Sequence, residues 1–389
     1  MPKHICLFPS WYPEKPSDIG GSFFREQAIA LSNYGYKVGV VFANVYSVKN
    51  IHNYLKSPKI PLVYNDQGVN TYTKNSLCFL PKFPNAYSWF CVNTGMKLFD
   101  KYIKENGFPD VIHVHSILHG GVLAKAVKEK YGIPYVITEH SSHFARKLIS
   151  NKQLKLAKSV VERANCCIAV SESFAKVLEE VFGTEPKWIT IPNIISTRFE
   201  EVDDISYKQQ ESFYFCNASI LTDVKGIDIL LQSFATSFKG IKQVQLKIGG
   251  DGVSKLKLMH LSKQLGIEQQ VQFLGQLSRA QVLEMILESN AYALSSHTET
   301  FGVSVMESLA LGRPVVATRC GGPESIVEDG DGYLVEKNNV QAMSSALTSL
   351  YKNYDKFDSI KIRQSCLDRY SERTVIEMIS NVYAGTVST

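Results

Sequence analysis

The stretch "SSHTETFGVSVMESLALG", residues 295–312, sets two glutamates, Glu299 and Glu307, eight positions apart, with a lone glycine, Gly302, between them. The apolar run "AYALSS" just upstream reads as a strand, and the small, apolar residues from Val303 onward read as a helix. Glu299 then falls in a loop at a strand's carboxyl end, and Glu307 lies little more than one turn inside the helix. A glycine before a helix lets the backbone approach a ligand closely, and the helix end presents N–H groups and the positive end of a dipole. That is a place for phosphate. A carboxylate one turn inside is electrostatically welcome there, and its two oxygens match the two hydroxyls of a ribose. Taken alone, the spacing fits equally a dipole-stabilising helix residue and a solvated loop glutamate.

The surrounding chain narrows the choice. Its 389 residues exceed the usual ceiling for one hydrophobic core, so two domains are expected. A hydrophobic content of 44% with 20% charged residues is that of a soluble globular protein. No apolar run is long enough to span a membrane, and the start "MPKHICLFPSWYP" has too short an apolar run for a secretory signal. The eight cysteines are scattered without zinc or disulfide spacing, which predicts reduced thiols in a cytoplasmic protein. Residues 1–190 hold 23 Lys+Arg against 14 Asp+Glu, whereas residues 191–389 hold 19 against 23. A basic first half fits an anionic partner, either a phosphate-bearing acceptor or a membrane surface, and fits an ordinary solvated surface as well.

Both halves alternate short apolar runs with helical patterns, the sign of parallel sheets covered by helices. The first half runs from "HICLF" through "SFFREQAIALSNYG", "KVGVVFA", "DVIHVHS", "GGVLAKAVKEKYG" and "PYVITEHS" to "CCIAVS" and "WITIPN". The plan restarts at "SFYFCNAS". Residues 197–212 are polar and acidic and are the best linker. The expected division is therefore a first domain over 1–196, a linker, a second domain over 213–370, and a C-terminal helix over 371–389 that could pack back on the first domain. Doubly wound sheets bind ligands outside their strand carboxyl ends, which directs attention to the loops that follow strands.

With its context, the opening stretch resembles the signature region of retaining glycosyltransferases of family four, which have the GT-B architecture of two Rossmann-like domains facing across a cleft. The resemblance rests on the glutamate pair, "GRPVVA" (312–317) and Gly321–Gly322, and extends to "DVKGIDILLQSFA" (223–235), "LKIGGDG" (246–252), "VQFLGQLS" (271–278), "IPNII", "DIGGSFFREQAIAL" and "VITEHS". It implies that Glu299 sits beside the donor sugar and leaving group and that Glu307 holds the nucleotide ribose. It also implies that Phe301, Gly302 and Val303 cradle the diphosphate and that Ser219 and Gly250 join the donor site. Lys225 matches the family's phosphate-binding lysine, the fixed positive charge that a departing diphosphate requires. Family members often carry an arginine five or six residues before that lysine. This chain has Ser219 and Ile220 there, which leaves Arg279 or Arg319 as possible substitutes.

In the first half, Gly20 and Gly21 precede a helix and repeat the phosphate logic of a loop entering a helix end. His140, after "VITE", matches the family histidine near the reaction centre. His115 and His143 are candidates for the acceptor, and His113, one strand alternation deeper, reads as a core residue. Arg146, Lys147, Lys152, Lys155, Lys158 and Arg163 suggest one basic amphipathic helix able to rest on an anionic membrane, and the aromatics of residues 79–93 could join it or cap an acceptor pocket. A solvated helix and an ordinary core remain open for each.

The expectation is a retaining hexosyltransferase that uses a nucleotide diphosphate sugar, UDP- before GDP-, and a glycan or lipid-linked acceptor, in bacterial surface polysaccharide synthesis. No metal or other cofactor and no nucleic acid are expected, and the place is the cytoplasm or the inner face of the membrane. Rival readings are a sugar-nucleotide epimerase or hydrolase, and a non-catalytic partner subunit that the Ser219/Ile220 departure would favour. A dinucleotide-dependent dehydrogenase is disfavoured because no G-x-G-x-x-G follows the first strand.

Overall fold

The computed structural model describes residues 3–14, 18, 20–80, 86–205 and 211–387. The chain divides into two compact units. The first comprises Met1–Val170, Ala175–Pro192 and Val375–Thr389, and the second Ser171–Phe174 and Asn193–Thr374.

The first unit holds an eight-stranded sheet built from β1 (His4–Pro9), β2 (Lys37–Ser47), β3 (Leu62–Asp66), β4 (Val69–Cys78), β5 (Val111–His115), β6 (Tyr135–Glu139), β7 (Cys166–Ala169) and β8 (Trp188–Thr190). Its order is β3-β4-β2-β1-β5-β6-β7-β8. Every neighbouring pair is parallel except β3 and β4 at one edge, which run antiparallel. β1 and β5 are buried along their whole length, as strands covered on both faces must be. Gly132 closes the helix Val122–Tyr131 in the left-handed conformation, donating its N–H to the Lys128 carbonyl at 2.9 Å.

The second unit holds a wholly parallel six-stranded sheet of β9 (Phe213–Ala218), β10 (Val244–Gly249), β11 (Val271–Gly275), β12 (Ala291–Leu294), β13 (Val315–Arg319) and β14 (Gly332–Glu336). Its order is β11-β10-β9-β12-β13-β14. Strand order thus reverses between β1 and β5 in one sheet and between β9 and β12 in the other, and the loops leaving those strands open onto the natural ligand positions of each.

Two features depart from the sequence reading. The stretch expected as linker begins with a helical turn, Thr197–Glu200, whose Phe199 is fully buried, and the division between units falls at Pro192/Asn193; residues 206–210 lie outside the described residues. The basic stretch 146–163 is not one helix. Arg146 and Lys147 follow the short helix Ser142–Ala145, Lys147 turns through a positive φ of 54°, and a new helix runs from Asn151 to Val161 behind a Ser150–Gln153 capping box. The helix Glu372–Val387, expected to pack back on the first domain, groups from Val375 onward with the first unit, where the Tyr383 hydroxyl meets His113 Nδ1 at 2.6 Å.

Candidate functional site

In the second unit, the loops after β9, β10 and β12 are built to touch. Ser219 donates its N–H to the Gly249 carbonyl at 3.0 Å, and Gly250 donates to Gly275 at 2.7 Å. Gly250 has φ +134°, and a Cβ there would stand 1.8 Å from the Ser219 carbonyl oxygen, so only glycine permits this approach. The Ser219 hydroxyl donates to Asn217 Oδ1 at 2.8 Å, and Asn217 Nδ2 donates to the Ala293 carbonyl at 2.7 Å, tying the end of β9 to β12.

Lys225 and Glu299 come together across the strand-order reversal, the lysine after β9 and the glutamate after β12. Lys225 Nζ lies 2.6 Å from Glu299 Oε1, and the Ser296 hydroxyl donates to the same oxygen at 2.7 Å. The lysine's backbone is fixed as well, because its carbonyl accepts from the Ser295 hydroxyl at 3.0 Å. Glu299 is anchored at both ends: its N–H donates to the Cys320 carbonyl and its carbonyl accepts from the Gly322 N–H, each at 2.9 Å. The Glu324 carboxylate accepts from the N–H groups of Cys320 and Gly321, holding the double-glycine turn in place.

Gly302, with φ +112°, starts the helix Val303–Ala310, and no side chain caps that end. Phe301 is buried edge-on against Tyr370, 5.8 Å between ring centroids. Inside the helix, Glu307 is only 2% exposed and meets Arg279 Nη2 at 2.5 Å. The guanidinium lies 5.1 Å above the ring of Phe199. Arg319 is half exposed and 3.8 Å from Glu336. Of the two arginines considered for the position missing near Ser219, one thus pairs with Glu307 and the other with a surface carboxylate. No local pattern in the sequence marks the Arg279–Glu307 pair.

The first unit gathers its candidates around its own reversal point. Gly21 adopts φ +80° and begins the helix Ser22–Asn33, with Gly20 exposed beside it. Phe24, on the first turn, packs against His115 and His140 with ring centroids 4.8 and 4.9 Å away. His115 Nδ1 and His140 Nε2 are 3.2 Å apart. His115 is fully buried, and its Nδ1 faces His140 rather than solvent. His113 bonds Tyr383 and, through Nε2, the Thr138 hydroxyl at 2.8 Å, and is a core residue. Burial holds the His113 pKa down to about 3 and pushes that of His115 well below its ordinary value, aided by its two histidine neighbours. His143 is exposed, its Nδ1 2.7 Å from the Ser141 hydroxyl.

Sequence reasoning passed over Glu139. Its buried carboxylate accepts from the N–H groups of Ile117 (2.8 Å), His140 (2.8 Å) and Ser141 (2.6 Å), so it joins the loops after β5 and β6 and fixes the backbone at His140. Burial pushes its carboxyl pKa up, and these three donors oppose the shift. The signal was present in "VITEHS": a charged residue inside an apolar strand demands partners.

Among the described residues no group of three or more His, Cys, Asp or Glu is placed to hold a metal ion, and no helix is long and apolar enough to cross a membrane.

Comparison with known proteins bears on the whole of this arrangement. The family description "Glycosyltransferase Family 4" matches residues 22–199, and "Glycosyl transferases group 1" matches residues 198–364. The chain is 26% identical over 286 residues to N-acetyl-alpha-D-glucosaminyl L-malate synthase of Bacillus anthracis, covering 70% of this chain and 74% of that protein. It is 27% identical over 275 residues to D-inositol 3-phosphate glycosyltransferase of Rhodococcus erythropolis, covering 63% and 61%. Among solved structures, sucrose-phosphate synthase from Thermosynechococcus elongatus superposes with a TM-score of 0.78 at 17% identity, covering 98% of each chain. Anabaena Alr3699/HepE in complex with UDP-glucose gives 0.71 at 18%, covering 99% and 100%. With family matches running from residue 22 to residue 364 and a shared GT-B fold, the chain belongs to the family-four, group 1 glycosyltransferases and is a glycosyltransferase.

Proposed function

We propose that this enzyme moves a hexose or N-acetylhexosamine from a nucleotide diphosphate sugar, UDP- in preference to GDP-, to a hydroxyl of a glycan or lipid-linked acceptor, with retention at the anomeric carbon. The observation that carries the reading is the Lys225–Glu299 pair at the strand-order reversal, joined in the same loop to the uncapped helix end after Gly302. A diphosphate leaving group gains negative charge as the sugar departs, and a fixed ammonium with a helix N-terminus meets that charge without reorganisation. Glu307 takes the ribose hydroxyls, and Ser219, Gly250, Phe301 and Val303 line the donor. The first unit's Gly20–Gly21 turn and His140 serve the donor's distal phosphate and sugar, and His143 the acceptor. That Anabaena Alr3699/HepE is solved with UDP and with UDP-glucose favours a uridine donor.

For retention we favour front-face attack. The acceptor oxygen bonds to the anomeric carbon on the face from which the diphosphate leaves. The sugar–phosphate bond breaks, and the departing phosphate oxygen takes the acceptor's proton. Positioning and electrostatics carry the barrier reduction. No metal or other cofactor enters this scheme. We place the enzyme in bacterial surface polysaccharide synthesis, at the cytoplasmic face of the membrane. Lys152, Lys155 and Lys158 are exposed on one helix, and Phe79 and Trp89 are exposed in the aromatic stretch 79–93, of which residues 81–85 lie outside the described residues; each suits contact with anionic lipid.

The reading is tested by thermal stabilisation with UDP-, GDP- and ADP-sugars, followed by product analysis with the sugar that binds. A rise in Tm with a UDP-sugar and an α-linked product from an α-linked donor are expected. No shift with any nucleotide sugar, or an inverted product, refutes it.

A further inference from the structure

The helix Val303–Ala310 packs Val305, Met306 and Leu309 into the core, and among them it buries one full carboxylate, Glu307. A charge at 2% exposure must be paired, and Arg279 pairs it at 2.5 Å. Stability is a poor explanation of that choice, since apolar residues of similar volume fill such a place as well or better. The arginine is also held with care. It is the first residue of the helix Arg279–Leu287, held within a Ser278–Gln281 capping box. Its guanidinium lies on the ring of Phe199, whose own carbonyl accepts from Arg363 Nη1 at 3.2 Å. About a fifth of the Arg279 side chain remains exposed, so the pair sits at the edge of the solvent rather than sealed in the core.

The geometry points to Arg279 as the positioning residue that keeps Glu307 ionised and aimed, and hence as a determinant of ribose recognition by this enzyme. The inference rests on the ribose role proposed above for Glu307. A carboxylate accepts hydrogen bonds from ribose hydroxyls only while it is charged and fixed in direction. Without the guanidinium, burial favours the protonated acid, which offers one fewer acceptor and rotates more freely. Arg279 therefore acts on the hydroxyls through Glu307, while Lys225 and the helix end act on the diphosphate. The two parts of the donor are read by separate pairs, 279/307 and 225/299.

The test compares binding of UDP and 2′-deoxy-UDP by calorimetry in the wild type, Arg279→Met and Arg279→Lys, with Arg279→Gln as a second neutral variant should the methionine protein fail to fold. The wild type is expected to prefer UDP by about tenfold or more, since a hydrogen bond to a charged group carries that much discrimination. In Arg279→Met or Arg279→Gln the preference collapses toward unity while 2′-deoxy-UDP binds almost as before, and Arg279→Lys restores part of it. A purely structural arginine would lower both affinities together and leave their ratio intact, and that result overturns the inference while sparing the ribose role. A wild type indifferent to the 2′-hydroxyl removes the ribose role itself, and the inference with it.

Discussion

Lys225 Nζ and Glu299 Oε1 lie 2.6 Å apart on opposite sides of the point where the strand order of the second sheet reverses. The pair is 74 residues apart in sequence and is made by two loops whose backbones are bonded to one another, the His297 N–H donating to the Val224 carbonyl at 2.8 Å. A lysine held in this way is a poor candidate for a casual surface charge. Its partner orients it, and under the proposed function a departing diphosphate competes for it.

Removing either member is expected to stop transfer without unfolding the protein. Lys225→Ala should lower kcat by about 10²–10³, the usual cost of losing one preorganised positive charge at a developing anion, and Glu299→Gln should lower kcat as well, because that carboxylate holds the ammonium in place. Because both side chains are partly exposed, the loss of folding stability should stay near 1 kcal/mol. Steady-state kinetics beside a thermal melt separate the two effects, and wild-type turnover in either variant removes the assigned role.

Glu307→Ala should act on affinity. Loss of a charge-assisted hydrogen bond to the ribose weakens nucleotide binding by about 10- to 100-fold. The same change strands the buried side of the Arg279 guanidinium and should cost about 3 kcal/mol of stability. Nucleotide Kd, read well below the variant's Tm, checks the first effect; an unchanged Kd speaks against ribose contact.

Gly250→Ala tests the close approach of two loops. The new Cβ would stand 1.8 Å from the Ser219 carbonyl at a φ of +134°, so the loop after β9 must move. About 2 kcal/mol or more of destabilisation is expected, with weakened donor binding. A variant as stable as the wild type would show that the loops are not held as described.

The buried histidines give stability a pH dependence whose sign follows from their shifts. The pKa values of His113 (about 3), His119 (about 4) and His115 (well below the ordinary value) are all lowered by burial. Unfolded, each binds a proton near pH 6.5, so between that value and the folded pKa the unfolded state holds more protons. The contribution is complete above pH 6.5 and is lost as pH falls, at up to about 1.4 kcal/mol per pH unit for each histidine. Unfolding free energies should change little from pH 7.5 to about 6.5 and fall below it, where His113→Gln should show a slope shallower by about one proton. An identical slope would assign the dependence elsewhere.

Much of this was legible in the chain, and the exceptions have physical reasons. A fully buried parallel strand such as "HICLF" is a near-continuous apolar run closed by a polar loop, so strand ends and their candidate residues could be read directly. Residues 45–105 resisted. β4, "VNTYTKNSLC", sets Thr71 and Asn75 on buried positions, which breaks the apolar alternation. The helix Ala86–Asn106 carries Gly95 at its centre, where a Cβ would press within 2.5 Å of Leu123 Cδ2; close packing put a helix breaker inside a helix. At the site, Glu299 and Glu307 could be located by strand and helix logic and Lys225 by the family resemblance, but the pairing of Glu307 with Arg279 could not be read. Arg279 precedes Glu307 by 28 residues on a different helix, and only the folded chain brings them into contact.

The most direct measurement is the position of a donor in a crystal soaked with UDP-glucose. The diphosphate is expected within hydrogen-bonding distance of Lys225 Nζ and the N–H groups of Gly302 and Val303, with the ribose hydroxyls on Glu307. Density for a donor bound elsewhere, with residues 299–307 untouched, contradicts the assignment of this site.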